Sequence, residues 1–302
     1  MGGGLALAVG AGALPILVSA RTISGEVSPS GGSADAGWGR QMLSFGEEGI
    51  GPGLFQDARS IGIDSQGRVY VGEYQGGRIQ VFDAEGAFLT QWFVDRDLPL
   101  TGMAVSRDGT VYTVQEGEIG LRDGMTGELR RKLAYAEGDD FDDVSLAAGG
   151  GLVAAWYANR DDIVVFDALG RPAQTIEAAL SGLTGDSELS MRVAIDGLGN
   201  IYVLGRVHEV GFRFDPDGRY VSRFGSAGDE PGQFTALGAI AVDGQGRVYI
   251  GDSQGVQVFD ATRRYLGVVT VEGFPSGLAF DPQGDLWVAA GTQVFEFDVE
   301  ES

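Results

Sequence analysis

The sequence of 302 residues contains no cysteine and a single histidine, His208. Without cysteine the chain can form no disulfide, no thiolate nucleophile and no cysteine-ligated zinc or iron–sulfur site. With one histidine it can supply no chemistry that needs two imidazole groups from the same chain. The nucleophile-elbow pattern G-x-S-x-G and the zinc-protease pattern H-E-x-x-H are also absent. These absences favour a protein without catalytic residues or an organic cofactor.

Basic residues are few as well. The chain has 43 acidic residues against 21 basic ones, for a net charge of −22, and Lys132 is its only lysine. A strongly negative field repels phosphate backbones, so nucleic acid is not an expected partner. The acidity by itself is typical of a soluble protein and indicates no activity.

The first 20 residues carry no charged side chain. The apolar stretch Leu5–Val18 has the length of a signal-peptide core and is shorter than the roughly 20 residues of a membrane-spanning helix. Small residues at Val18 and Ala20 suit cleavage after Ala20, although no basic residue precedes the stretch. Residues 1–20 are therefore predicted to be a signal peptide or an uncleaved membrane anchor. A disordered or packed apolar tail is the alternative.

Residues 21–39 are rich in glycine and serine and are predicted to be a flexible linker. The expected location of the protein is extracytoplasmic, either secreted or membrane-anchored. On this interpretation the protein would contact a membrane only through its N-terminal segment.

A repeated unit organises the rest of the chain, residues 40–302. The unit is an apolar strand, a turn that contains glycine and usually begins with aspartate, and a strand with an aromatic residue. The turn positions are Asp64, Ser106, Ala147, Asp196, Asp243 and Asp281. They are 42, 41, 49, 47 and 38 residues apart, which is the length of a four-stranded propeller blade.

Each unit continues into a third strand, which ends in an aromatic–Asp pair in five of the six units, and a fourth strand with alternating polarity. The sequence therefore predicts an all-β fold, a six-bladed β-propeller of four-stranded antiparallel blades. The last unit ends after three strands, and residues 40–46 have the pattern of the missing fourth. We expect this N-terminal strand to pair with the last blade and close the ring.

The junctions FGEEGIGPGLF (45–55) and FGSAGDEPGQF (224–234), together with RIQVFD (78–83), resemble those of NHL-repeat β-propellers. The resemblance covers roughly residues 40–299. It implies an interaction scaffold, because most such propellers are scaffolds and a minority are enzymes. Related six-bladed folds include lactonases, esterases and a lyase whose zinc is bound by histidine. The degenerate third unit and Gly77, in place of the usual Asn, depart from the family pattern.

In a propeller of this strand order, the loops joining strands two to three and four to one lie on one face, around the channel mouth. Binding residues concentrate in such loops because a rigid scaffold positions them. We expect this face to hold a protein, peptide or glycan ligand without catalysis. The candidate binding residues are Arg59, Tyr74, Tyr157, Arg160, Arg206, His208 and Asp252.

A second hypothesis starts from the acidic run EGDDFDD (137–143). Carboxylates that converge on a channel mouth suit Ca²⁺, which takes six to eight oxygen ligands. The predicted ligands are Glu116, Asp142, Asp143 and Glu188, and the corresponding function is a calcium-dependent, lactonase-like hydrolase. The simpler interpretation is a solvated surface loop, since no EF-hand spacing is present.

Overall fold

The computed structural model describes residues 38–147, 153–157, 160–186, 188 and 190–299. The predicted signal peptide or anchor (1–20) and most of the predicted linker lie outside the described residues. Within the described residues, no helix is both long and apolar enough to span a bilayer. Trp38, near the end of the predicted linker, donates its backbone N–H to the Val268 carbonyl at 2.9 Å and packs on the propeller.

Three strands precede the first blade: β1 (Arg40–Phe45), β2 (Glu47–Glu48) and β3 (Leu54–Phe55). Blade 1 comprises β4 (Ala58–Ile63), β5 (Val69–Glu73), β6 (Arg78–Phe82) and β7 (Phe88–Phe93). Blade 2 comprises β8 (Gly102–Val105), β9 (Thr110–Gln115), β10 (Glu118–Asp123) and β11 (Leu129–Lys132). Blade 3 comprises β12 (Phe141–Leu146), β13 (Val153–Tyr157), β14 (Asp162–Phe166) and β15 (Pro172–Ile176).

A short helix, α1 (Ser181–Thr184), precedes blade 4. Blade 4 comprises β16 (Met191–Ile195), β17 (Ile201–Gly205), β18 (Val210–Phe214) and β19 (Tyr220–Phe224). Blade 5 comprises β20 (Ala239–Val242), β21 (Val248–Asp252), β22 (Gly255–Phe259) and β23 (Tyr265–Val269). Blade 6 comprises β24 (Gly277–Phe280), β25 (Leu286–Ala290) and β26 (Gln293–Asp298), with β1 as its fourth strand.

The six blades form a closed ring. Strands are ordered consecutively in blades 1 to 5, and all pairs within the blades are antiparallel. The first strands, β4, β8, β12, β16, β20 and β24, each contact the first strand of the next blade, and β24 contacts β4. These six inner strands therefore surround a central channel. The predicted six-bladed propeller is confirmed.

The turns after the inner strands of blades 1 and 4 have the chemistry that the repeat predicts. One carboxylate oxygen of Asp64 accepts the backbone N–H groups of Gln66 at 2.9 Å and Arg68 at 3.1 Å. Gly67 has a φ of +75°, a conformation that glycine adopts without steric cost. Asp196 accepts equivalent bonds in blade 4. These aspartates are therefore turn residues and are occupied within the fold.

Apolar side chains from neighbouring blades form the core. Between blades 6 and 1, for example, Leu43, Phe45 and Trp287 pack with Ile61 and Val69. The second and third strands of most blades are buried on both faces, because each blade is covered by a neighbour on either side. A blade therefore cannot bury its apolar faces without the next blade in the ring.

Blade 6 is completed by the start of the chain. Strand β1 pairs antiparallel with β26, with Leu43 opposite Glu296 and Phe45 opposite Val294. The Arg40 guanidinium adds an ion pair to Asp298 at 3.0 Å. The predicted closure of the ring by residues 40–46 beside the last strand is confirmed, with β1 ending at Phe45. Because β1 covers the edge of β26, the last blade exposes no unpaired third strand.

The closure can be tested by truncating one buried side chain of β1. Phe45 is buried and contacts the Phe82 ring at a centroid distance of 4.7 Å. Phe45→Ala should lower the free energy of unfolding by about 3–5 kcal/mol, since it leaves a cavity in the core. Met42→Ala, on an exposed position of the same strand, should cost less than about 1 kcal/mol. Urea unfolding of both variants measures the difference, and equal losses would contradict the assigned pairing.

Candidate functional site

A cavity of about 520 Å³ occupies the channel between the inner strands and extends to Arg131 and Asp167 at the outer parts of blades 2 and 3. At the end near the turns, apolar residues that directly precede the turn position line it: Ile63, Val105, Leu146, Ile195, Val242 and Phe280. At the opposite end, where the inner strands begin, Arg59, Asp143 and Arg192 line the channel. We call this second end the channel mouth. It lies on the face that carries the loops between strands two and three and the loops between blades.

Arg59 reaches the mouth from a β-bulge in blade 1. Ala58 pairs with Glu73 and Ser60 with Gly72, so Arg59 is the extra residue between them. Bulges redirect side chains, and they are common beside binding sites. Arg59 donates from Nε to Asp57 at 2.8 Å, and its guanidinium carbon lies 4.3 Å from the centre of the Tyr74 ring. The structure thus brings together two of the predicted binding residues, Arg59 and Tyr74.

Arg192 and Arg206 lie side by side in blade 4. Arg192 on β16 is opposite Leu204 on β17, and the backbone N–H of Arg206 donates to the Ser190 carbonyl. Residues two apart on a strand share a face, so Arg192 and Arg206 are diagonal neighbours. Arg206 donates from Nε to the Leu237 carbonyl at 2.6 Å and from Nη1 to the Ser190 hydroxyl at 3.2 Å.

Arg192 was not predicted as a site residue, although the repeat contains the signal. Arg192 stands four positions before its turn residue. The equivalent positions of the six blades, which we call the mouth layer, are Ser60, Gly102, Asp143, Arg192, Ala239 and Gly277. Four of these residues are small or lack a side chain, while neighbouring blades 3 and 4 carry a carboxylate and a guanidinium. Aligning the copies on their turns would therefore have singled out both charges.

Asp143 is buried at the mouth. Its Oδ2 accepts the backbone N–H of Val193 at 2.9 Å, which ties blade 3 to blade 4. Burial raises the pKa of Asp143 to about 6, while the nearby Arg192 guanidinium opposes that rise. Asp143 was predicted as a calcium ligand, and the structure places its carboxylate near the Arg192 guanidinium and against the Val193 backbone N–H.

Arg59 and Arg192 both act electrostatically on Arg206. Burial lowers the pKa of Arg206, and the positive charges of Arg192 and Arg59 lower it further. Asp143 and Asp142 act in the opposite direction. In a ring of six blades, blade 1 is opposite blade 4, so Arg59 faces Arg192 across the channel. The mouth therefore gathers cationic groups from opposite walls of a protein whose net charge is −22.

His208 and Glu188 form a contact at the edge of the same face. The His208 Nδ1 lies 2.8 Å from Oε2 of Glu188, whose side chain is fully buried. Oε1 of Glu188 also accepts the backbone N–H of Val207 at 3.0 Å. Glu188, predicted as a calcium ligand, thus supports the loop between β17 and β18 and orients the imidazole. In the neutral imidazole, donation from Nδ1 to this carboxylate leaves Nε2 as the acceptor.

Asp252, a predicted binding residue, is buried and occupied within blade 5. Its carboxylate accepts from the Gln254 backbone N–H and from the Gln257 side-chain amide, both at 2.8 Å. Burial raises the pKa of Asp252, and these hydrogen bonds act against the rise. Glu73 has the corresponding role in blade 1, where it accepts the Gln56 N–H and pairs with Arg78. Asp252 therefore holds loops in place and has no surface with which to contact a ligand.

The remaining predicted binding residues lie in blade 3. Arg160 is half-exposed and pairs with Glu137 at 3.1 Å and with Asp162 at 3.4 Å. Tyr157 is the last residue of β13, and its side chain lies outside the described residues.

The four predicted calcium ligands are not gathered into one group of carboxylates. Glu116 is exposed in the loop after β9, while Asp142 is the bulge residue at the start of β12. Among the described residues, carboxylate oxygens from three side chains lie within 4.8 Å of one another at Asp281, Asp285 and Glu296, in blade 6. Burial and the two aspartates raise the pKa of Glu296 to about 7. This cluster was not predicted from the sequence.

No family model and no curated protein matches the chain. Solved structures do. A Bacteroides thetaiotaomicron protein of unknown function is 16% identical with a TM-score of 0.63, over 85% of this chain and 73% of that one. A streptogramin B lyase is 12% identical with a TM-score of 0.58, over 85% of this chain and 97% of that one. At these identities the likeness shows the fold, a six-bladed β-propeller.

The buried carboxylate of Asp143 predicts a pH-dependent stability. Its pKa in the folded protein, about 6, exceeds the ordinary value of 3.8. Between these two pKa values the folded state keeps a proton on Asp143 that the unfolded state has lost. The free energy of unfolding therefore falls as the pH rises from 4 to 7, by up to about 3 kcal/mol. Asp143→Asn should remove that part of the fall, because an amide does not titrate.

Urea unfolding at pH 4 and at pH 7 measures the effect. The matched control is Asp142→Asn, which removes the adjacent carboxylate; because its charge contributes only a small part of the raised pKa of Asp143, this variant should keep most of the wild-type pH dependence. Parallel pH curves for wild type and Asp143→Asn would show that the carboxyl is not perturbed as described.

Proposed function

We propose that the chain is an NHL-type propeller that acts as a non-catalytic binding scaffold and holds a protein, peptide or glycan at the channel mouth. The observation that carries the proposal is the convergence at this mouth of side chains from different blades, each fixed by contacts within the fold. Arg59 is held by Asp57 and Tyr74, and Arg206 by Leu237 and Ser190. Preorganised side chains of this kind lower the entropic cost of binding.

The resemblance of the two blade junctions to NHL repeats is supported by their shared hydrogen bonds. In the first junction the Gly53 N–H donates to the Gln80 side chain at 2.8 Å. In the second, the Gly232 N–H donates to the Gln257 side chain at 3.1 Å. Two junctions nearly 180 residues apart thus use glutamine from the third strand to fix the incoming loop. This recurrence supports a common repeat.

The proposed location is outside the cytoplasm, with the protein secreted or membrane-tethered. The apolar, uncharged segment 1–20 supports this location, and contact with a membrane would be confined to it. The net charge of −22 supports a partner other than nucleic acid. The calcium-dependent, lactonase-like hydrolase ranks second, since the predicted ligands Glu116, Asp142, Asp143 and Glu188 do not gather in the described structure.

The proposal is tested by probing peptide and glycan arrays with the full chain and with one aromatic variant of the face. Tyrosine is among the residues that contribute most to binding energy at interfaces. Tyr74→Ala should therefore weaken binding to the array ligands at least tenfold, and the bound ligands should be recovered unchanged.

The matched control is Tyr220→Ala, on the exposed outer strand of blade 4, which should bind as wild type does. An array without a ligand for the wild-type chain would contradict the proposal. So would ligands whose affinity depends on Tyr220 and not on Tyr74, or ligands that are cleaved.

A further inference from the structure

We propose that the channel mouth binds an oxyanion, a carboxylate or phosphate group of the ligand, between Arg59 and Arg192 with Arg206 beside them. This inference rests on the proposed binding function and specifies the chemistry that the face recognises. It assigns the ligand-contacting role to Arg192, on an inner strand, as well as to the loop residues.

The arginines approach the channel mouth from opposite sides of the ring. Arg59 and Arg192 line the channel from opposite blades, and Arg206 is the diagonal neighbour of Arg192. Both channel-lining residues lie on inner strands, which the ring holds rigidly. Small residues of the mouth layer let neighbouring inner strands approach closely, since a Cβ at Gly277 would lie 2.9 Å from the Arg59 carbonyl.

The three arginines also keep N–H donors that make no hydrogen bond within the described structure. A guanidinium has five N–H donors in a planar fork. In the described structure, Arg192 makes one hydrogen bond, from Nη1 to the Met191 carbonyl at 3.3 Å. Arg206 donates from Nε and Nη1, and Arg59 only from Nε, to Asp57. Each arginine therefore keeps donors in the fork geometry that matches a carboxylate or a phosphate.

The charges around the mouth also favour an anion there. Ion pairs within 4.0 Å in the described residues include Arg59 with Asp57, but none with Arg192 or Arg206. Asp142 and Asp143 moderate the local positive charge without pairing with either guanidinium. An oxyanion at the mouth would supply the paired acceptor that Arg192 and Arg206 lack. It would also relieve the repulsion between like charges on opposite walls of the channel.

Because the chain as a whole is acidic, specific binding of an anion can be distinguished from general screening by salt. A chain with a net charge of −22 repels anions at long range, and that repulsion weakens as salt is added. General screening therefore acts equally for any salt of the same ionic strength. Stabilisation by one particular oxyanion at constant ionic strength requires a site that contacts it.

The test is a titration of the full chain with citrate, and separately with inorganic phosphate, against sodium chloride at matched ionic strength. Calorimetry gives the affinity, and thermal unfolding gives the stabilisation. We expect at least one of the two anions to bind and to raise the melting temperature. A tighter response to citrate would identify the group as a carboxylate, and a tighter response to phosphate would identify it as a phosphate.

Variants with the same change of charge locate the site. Arg192→Gln should weaken the anion at least tenfold. Arg219→Gln, which removes an exposed arginine from the outer turn of the same blade, should bind as wild type does. Arg59→Gln, at a half-exposed position, gives a second variant whose folding does not depend on the blade 4 contacts. Arg192→Lys should recover only part of the affinity, because an ammonium lacks the planar fork.

Two results would overturn the inference: no response to either anion beyond sodium chloride, or equal losses in Arg192→Gln and Arg219→Gln. The outcome is separable from that of the proposed function. Array ligands that depend on Tyr74 but not on Arg192 would refute the anion site and leave the scaffold in place. Anion binding that is lost in Arg192→Gln, together with an array without ligands, would support the anion site and contradict the scaffold.

Discussion

The pairing of β1 with β26 is the contact on which the rest of the ring depends. It joins the start of the described chain to its end, and the residues of β1 lie opposite Val294 to Asp298 along the whole of the last strand. Each blade is covered on both faces by its neighbours, so a ring with a gap would expose apolar faces as well as a strand edge. Closure also fixes the position of every inner strand, and thereby the distance between opposite walls of the channel.

That rigid frame explains why a site can be assembled from residues far apart in the sequence. Arg59 and Arg192 are far apart in the sequence and belong to different blades, 1 and 4. A bulge redirects Arg59, whereas Arg192 occupies a regular strand position in the mouth layer. The fold supplies small residues at most equivalent positions of that layer, and the two charged ones mark a departure from the repeat.

The architecture was predictable from the sequence because turn chemistry recurs at nearly regular intervals. Asp64 and Asp196 accept the same local hydrogen bonds in different blades, so these repeats indicate the same strand–turn–strand unit. The missing fourth strand of blade 6 could be located because a closed ring leaves one unpaired edge, and β1 alone has the matching pattern. Arg59, Tyr74 and Arg206 were predicted at the mouth because loop positions follow from the strand order.

Side-chain direction was not predictable in the same way. Asp252 ends β21 and Glu188 precedes β16 on the expected face, yet both carboxylates turn inward and accept backbone N–H groups of the fold. A sequence does not show whether a loop carboxylate meets solvent or an amide, because that depends on which neighbouring N–H groups lack partners. Arg192 was missed because candidate binding residues were sought in the loops, whereas Arg192 lies on the inner strand β16.

The central claim is that this rigid mouth holds an oxyanion between arginines of opposite blades. A crystal structure of the full chain bound to citrate tests it most directly. The account predicts citrate carboxylates within about 2.7–2.9 Å of guanidinium nitrogens of both Arg59 and Arg192, as in other charge-assisted hydrogen bonds. Citrate bound only at other arginines of the surface, with the channel mouth unoccupied, would contradict it.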